Sequence, residues 1–287
     1  MTRCVYVNGA YRAYDDALVH AEDRGFQFAD AVYEVIEVRD GLLIDETRHM
    51  QRLARSLSAL MLPSPMSEPA FARVLRETVR RNRVRNGLVY VQVSRGARPR
   101  DFLFPPPGTP PTVVCLARAV SRQKGTAKAQ NGIRILSQPD IRWQRSDIKT
   151  VMLLPASLAK EKAKAEGADD AWFVDGEGNV TEGASSNAWM VDNQGRLITR
   201  DLSPALLPGI TRQTLMHLLA REGLELVERP FTIAEAQAAR EAFVTSATSL
   251  VMPVVAIDGK PIGNGAPGLL TLKLRDMFHE VAKASAP

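Results

Sequence analysis

The sequence predicts a mixed α/β (α+β) chain in two domains. Strand-type alternation and helix-type spacing interleave along the chain, with no internal repeat. Apolar residues make up 45% of the 287 and are spread throughout, enough to bury one large core or two smaller ones. A polar stretch separates the two series of elements. Residues 1–119 are read as an N-terminal α/β domain, 120–125 as a linker and 126–287 as a C-terminal domain.

The N-terminal series opens with a strand at Cys4–Val7, ended by the turn pair Asn8-Gly9. Residues 32–38, VYEVIEV, alternate in strand fashion. An Asp40-Gly41 turn then leads to a short strand over 42–45, which together read as a hairpin. Leu53, Leu57, Leu60 and Met61 form one stripe of a helix over 49–61, stopped by Pro63. Phe71, Val74, Leu75 and Val79 do the same for a helix over 68–83. Strands follow at 88–94 and 112–117. The segment between them, 95–111, carries glycine, arginine and a Pro105-Pro106-Pro107-Gly108 run that neither a helix nor a sheet accommodates. A loop of that length in a compact domain is often functional.

Residues 121–131 read as a polar linker. Beyond it come a strand at 133–137 and a helix over 155–166 stopped by Gly167. Two hairpins then turn near 175–179 and 192–195. A helix covers 210–222, and the capping box Thr232-x-x-Glu235 opens another to residue 240. Strands at 243–246 and 254–257 precede a closing helix over 269–284.

Composition narrows the function classes. No run of 18 apolar residues exists, and the N-terminus lacks the apolar core of a secretion signal, so neither a membrane span nor export is expected. Cys4 and Cys115 sit in apolar, strand-like settings, as buried hydrophobes in a reducing cytoplasm would. The net charge of +5 is mild. Arg80, Arg81, Arg83 and Arg85 cluster where a helix ends, and there they complement its dipole. Without an aromatic-rich or helix-turn-helix pattern they do not read as a nucleic-acid surface. A mild positive field also suits anionic substrates.

Three segments invite a chemical reading. In Ser146-Asp147-Ile148-Lys149-Thr150, the lysine lies between a polar loop and an apolar run, which can partly desolvate its amine and make it nucleophilic; a surface lysine has the same local pattern. Residues 179–187, NVTEGASSN, place one carboxylate, Glu182, among small and hydroxyl residues, with Gly183 permitting close backbone approach; a polar turn is the plain alternative. Leu207-Pro208-Gly209-Ile210-Thr211-Arg212 precedes a helix. Its first amides and the Thr211 hydroxyl form an anion site suited to phosphate, or else Thr211 merely caps the helix.

In chain order, DRGFQFADAVYEVIEV (23–38), HMQRL (49–53), VQVSRGARPR (91–100), SDIKT (146–150), NVTEGASSN (179–187), LLPGITR (206–212) and FVTSATS (243–249) span nearly the whole sequence. Together they resemble the fold-type IV pyridoxal-phosphate aminotransferases, and DRGFQF with AVYEV is most similar to the D-amino acid branch. The resemblance implies a two-domain fold with the active site between the domains and near a dimer interface. The C-terminal domain would bind pyridoxal 5′-phosphate, and no metal is implied. Lys149 matches the lysine that carries the cofactor covalently and moves the substrate proton. Glu182 matches the carboxylate on the pyridine nitrogen, where it keeps the ring an electron sink. Arg52 matches the phosphate clamp, Gly209, Ile210 and Thr211 the helix-terminal phosphate contacts, and Leu207 the apolar residue on the ring. Ser185 and Ser186 would line the cofactor edge. Ala247 stands where a threonine commonly contacts phosphate, leaving Ser246 or Thr248 to compensate.

For the substrate carboxylate the resemblance implies Tyr33 and Arg100, with Val35 beside them. Phe102 replaces a histidine of the family and cannot donate a hydrogen bond, so Arg98 or Arg95 is the alternative donor. The implied activity moves the amino group of a D-amino acid such as D-alanine to a 2-oxo acid such as 2-oxoglutarate. A branched-chain or (R)-amine aminotransferase, or an aminodeoxychorismate lyase, is the alternative within the fold. Partners would be these small molecules and a second copy of the chain, in a cytoplasmic homodimer, with no nucleic acid or membrane.

Overall fold

A computed structural model describes residues 3–285. The elements run β1 (Cys4–Val7), β2 (Ala10–Ala13), α1 (Arg24–Phe28), β3 (Ala31–Arg39), β4 (Leu42–Ile44), α2 (Glu46–Ala59), α3 (Glu68–Arg81), β5 (Gly87–Ser94) and β6 (Thr112–Ala119). They continue α4 (Arg122–Asn131), β7 (Ile133–Pro139), α5 (Leu154–Ala165), β8 (Asp170–Val174), β9 (Val180–Gly183), β10 (Asn187–Val191), β11 (Leu197–Thr199) and α6 (Ile210–Arg221). The last are β12 (Leu226–Glu228), α7 (Ile233–Gln237), β13 (Glu241–Ser246), β14 (Leu250–Ile257), β15 (Lys260–Pro261), α8 (Leu269–Val281) and β16 (Ala284–Ser285). The polar 121–131 stretch expected as linker is largely the helix α4. Its weak amphipathicity hides it, since Ala129 alone of its residues is buried. The helix expected over 49–61 starts at Glu46, and that expected over 232–240 is a single short turn, α7, held by the Thr232–Glu235 capping box.

The chain divides into two compact units. One holds the residues up to Ser121, the segment Ile148–Met152 and the segment from Lys283; the other holds Arg122–Asp147 and Leu153–Ala282.

In the first unit seven strands pair in the order β16-β4-β3-β5-β6-β1-β2, all antiparallel. Asn8 and Gly9, and again Asp40 and Gly41, have positive φ, the conformation that two-residue hairpins require. Along β3 the pleat puts Val32, Glu34, Ile36 and Val38 in the buried interior and leaves Tyr33, Val35, Glu37 and Arg39 half-buried. α2 packs on β3, and α3 packs on β5, β6 and β1.

In the second unit a mixed sheet runs β12-β11-β10-β13-β14-β7-β8-β9, with β15 on β14. β10 is buried throughout and feeds two cores by alternation. Ala188 and Met190 join Ile133, Trp172, Phe231 and Val244. Trp189 and Val191 join Leu215, Leu218, Phe243 and Phe278. Helices α6 and α8 cover the second core, so a strand with no polar face is satisfied on both sides.

Candidate active site

The lysine segment is placed by strand pairing. β4 pairs with β3 only at Val38 and Arg39, which leaves the Ala31–Tyr33 stretch of that edge open. The segment Ile148–Met152 fills it: Tyr33 N donates to Lys149 O (3.0 Å), Val151 N donates to Ala31 O (3.1 Å), and Val32 bridges Thr150. Ser56 Oγ of α2 accepts from Lys149 N at 3.4 Å. Flanked by buried Ile148 and Thr150, the half-buried Lys149 sets its ammonium 4.3 Å from the Tyr33 ring centre. Tyr33 in turn stacks on Tyr90 at 5.5 Å. An aromatic face in place of a carboxylate leaves the amine without a fixed counter-ion among the described residues.

On the buried face of β3, Glu34 is wholly inaccessible. Arg52 grips it with Nε on Oε1 (2.7 Å) and Nη2 on Oε2 (2.8 Å), and His49 Nδ1 lies 2.8 Å from Oε2. Burial pushes the Glu34 carboxyl up, but the Arg52 charge and hydrogen bonds with Arg52 and His49 outweigh it and hold it well below the usual range. Burial likewise depresses His49, despite the pull of Glu34. The arginine expected at the phosphate is therefore already matched to a carboxylate. The Glu34 partnership was legible only as a charge on the inward register of VYEVIEV.

The 95–111 loop holds the other substrate candidates. Arg100 is exposed, 5.0 Å from the Phe28 ring and 5.6 Å from that of Phe102. Phe102 is 80% exposed. Arg95 is bound into the fold instead: it forks onto Asp30 at 2.7 and 3.0 Å and donates to the carbonyls of Leu60 and Met61. Arg98 donates to Thr109 Oγ1 at 3.3 Å.

In the second unit Glu182 is buried and held from three directions. Arg142 Nη1 donates to Oε1 (2.5 Å), while Asn187 Nδ2 and Leu207 N each donate to Oε2 (3.2 Å). Arg142 also binds Asp140, Thr181 and the Ala205 carbonyl. Sequence reasoning missed Arg142 and Asn187. Arg142 lies between Asp140 and Trp143 with no motif around it, and only the fold brings it to Glu182.

Gly209 caps α6 without a side chain, and the Ile210, Thr211 and Arg212 amides of the first turn have no partner among the described residues. A Cβ at Gly209 would lie 2.1 Å from Asn187 Oδ1, and one at Gly183 would lie 2.3 Å from Ser186 Oγ. Ser185, Ser186, Ser246 and Thr248 line one cavity of about 120 Å³. The Ser186 Oγ is buried with no hydrogen-bond partner among the described residues. Ser246 and Thr248 hydrogen-bond each other at 3.1 Å, on either side of Ala247.

These donors fit pyridoxal 5′-phosphate. A helix N-terminus with open amides suits the phosphate. A buried carboxylate paired with an arginine suits a ring nitrogen that must stay protonated. A lysine without a fixed counter-ion suits covalent attachment to an aldehyde. Small residues where a Cβ would collide suit close approach of a flat ring.

The amino-transferase class IV family model matches residues 31–257. The D-alanine aminotransferase of Staphylococcus haemolyticus is 36% identical over 276 residues, 96% of each chain. That of Bacillus licheniformis is 38% identical over 267 residues, 93% of each. Among solved structures, the branched-chain amino acid aminotransferase of Escherichia coli shares the fold at TM-score 0.90 and 23% identity, over 98% of this chain and 95% of that one. The branched-chain amino acid aminotransferase of T.th., solved with pyridoxamine 5′-phosphate, aligns at TM-score 0.89 and 26% identity, over 98% and 94%. The family match and the shared fold define a transaminase that depends on pyridoxal 5′-phosphate. The chain belongs to the class IV aminotransferases.

Among the described residues no helix is long and apolar enough to cross a membrane, and no group of histidine, cysteine or acidic residues is arranged to hold a metal.

Proposed function

We propose that this transaminase takes its amino group from a D-amino acid, D-alanine being the simplest, and passes it to a 2-oxo acid such as 2-oxoglutarate. One observation carries the reading: 36% identity to a D-alanine aminotransferase across 96% of both chains. When bound, pyridoxal 5′-phosphate supplies an electrophilic carbon and a ring that withdraws electrons from the substrate α-carbon. Lys149 would hold the cofactor covalently, and its amine would move the proton of the substrate α-carbon. Glu182, paired with Arg142 and aimed by Asn187 and the Leu207 amide, would hold the proton on the ring nitrogen. The Ile210 and Thr211 amides and the Thr211 hydroxyl would hold the phosphate, and Gly209 would admit it. Arg52, its charge matched by Glu34, would contribute there as a hydrogen-bond donor, while Leu207 would pack on the ring and Ser185, Ser186, Ser246 and Thr248 would line its edge.

Tyr33 and Arg100 orient the substrate carboxylate, and Val35, on the same face of β3 as Tyr33, bounds its side chain. The enzyme acts in the cytoplasm as a homodimer whose arginine loop, 95–111, completes the neighbouring site. Phe102 favours the second reading, a branched-chain or (R)-amine donor, because an aromatic ring in a histidine's place welcomes apolar groups. Parallel assays separate the two: D-alanine with 2-oxoglutarate against L-leucine or an (R)-amine with the same acceptor, and aminodeoxychorismate for pyruvate release. Turnover of D-alanine at least about tenfold above the others supports the first reading; the reverse order overturns it.

A further inference from the structure

The arginines at the end of α3 do more than complement a helix dipole. They line a cavity of about 980 Å³ in the first unit, bounded by β1, β2, β4, α3 and the turn that follows α3. Its floor is apolar: Leu43, Val74, Val79 and Val84 are all buried. Its rim carries Arg73, Arg76, Arg80, Arg81, Arg83 and Arg85 against one carboxylate, Glu77. That is a formal +5, equal to the net charge of the whole chain, so the rest of the molecule is balanced and its positive charge is gathered here. None of these residues is among the candidate active-site residues.

Partnering sorts the arginines. Glu77 holds Arg80 and Arg81 at 2.6–2.7 Å. Arg81 also lies 4.3 Å over the Tyr11 ring, which meets Tyr6 edge-on at 5.2 Å. Arg76 commits one nitrogen to Glu46 and keeps a buried Nε with no hydrogen-bond partner. The exposed side chains of Arg73, Arg83 and Arg85 have no partner among the described residues. Unmatched guanidinium forks select phosphate or carboxylate oxygens, several at once. Apolar floor and tyrosine rings select a flat, carbon-rich body. The volume lies at the upper end of small-ligand pockets, well beyond what a lone phosphate fills.

We infer that this cavity binds a nucleotide, with its phosphates across Arg73, Arg76, Arg83 and Arg85 and its base against Tyr11 and the valine-leucine floor. The test is calorimetric titration of the cofactor-loaded enzyme with ATP, adenosine and inorganic triphosphate. ATP is expected to bind one site per chain, at least about tenfold more tightly than either fragment, as the combined phosphate and base contacts require. Exchanging Arg73→Gln, Arg83→Asn and Arg85→Gln together is expected to weaken ATP at least about tenfold with transaminase turnover unchanged. Asn tolerates the positive φ that position 83 adopts. Tyr11→Ala is expected to abolish the advantage of ATP over triphosphate. If the triple variant misfolds, Arg85→Gln alone is expected to weaken ATP about threefold. The inference is overturned by absence of saturable ATP binding, by triphosphate binding as well as ATP, by ATP affinity indifferent to the arginine exchanges, or by an RNA oligomer outcompeting ATP.

Discussion

Arg142 donates through Nη1 to Glu182 Oε1 at 2.5 Å while its Nη2 binds Asp140 at 2.7 Å, so one guanidinium ties the buried carboxylate to a second acid. Both side chains are nearly inaccessible. Removing one partner of such a pair leaves the other charged without compensation. Arg142→Leu is therefore expected to destabilise the fold by about 3 kcal/mol in denaturant titration and to lower kcat about a hundredfold. Arg142→Lys, with charge but no fork, should recover part of both. Unchanged kcat in Arg142→Leu would show that Glu182 needs no help from Arg142 to stay aimed.

Lys149→Ala is expected to lower turnover by at least about a thousandfold. Borohydride reduction followed by peptide mass spectrometry should find the cofactor on Lys149 in the wild-type chain. It should find none attached in the variant, which still retains the open amides at the α6 N-terminus. Label on another lysine would overturn the assignment.

Gly209→Ala tests the approach to the α6 N-terminus. Its Cβ would meet Asn187 Oδ1 at 2.1 Å, and Asn187 is pinned between Glu182 and the Leu207 carbonyl. Asn187 must move and loosen Glu182. Cofactor affinity, followed by absorbance titration of the apo-enzyme, is expected to fall about tenfold, or about 1.4 kcal/mol.

Acid should weaken the fold through β3 and α2. The folded-state pKa values of His49 and Glu34 are both depressed, so each group binds its proton more readily unfolded and stability falls as pH falls. His49 is affected first, below its ordinary 6.5, because a buried imidazole beside Arg52 must charge. Glu34 follows below its ordinary 4.5. Melting temperature should be flat above about pH 7 and decline in these two ranges. His49→Gln should remove the upper decline and leave the lower one; a profile identical to wild type would refute its source.

Arg100→Ala should raise KM for the amino acid about tenfold with little change in kcat, as the proposed role in orienting the carboxylate requires. Phe102→His should lower KM for D-alanine if a donor at that position helps. An unmoved KM in Arg100→Ala would place carboxylate recognition elsewhere, and Arg98 is then the next variant, because Arg95 is consumed by Asp30.

Most strands, the main helices and the order of the motifs are legible in the sequence because they rest on local periodicity and turn chemistry. Alternation in VYEVIEV, the Asn8-Gly9 and Asp40-Gly41 turns and the Thr232–Glu235 box each carry their own signal. Helix α4 does not, because it has almost no apolar stripe to read.

By itself the sequence determined the family, the mixed α/β class and the identity of Lys149 and Glu182 as candidates, since each rests on residue type and spacing along the chain. Tertiary structure alone decided their partners. Lys149 meets Tyr33 because β4 leaves part of the β3 edge unpaired, Glu34 takes Arg52 from eighteen residues away, and Arg142 reaches Glu182 across forty. Electrostatics and packing act through space, and nothing in local spacing encodes which distant side chains a sheet brings within a few ångströms.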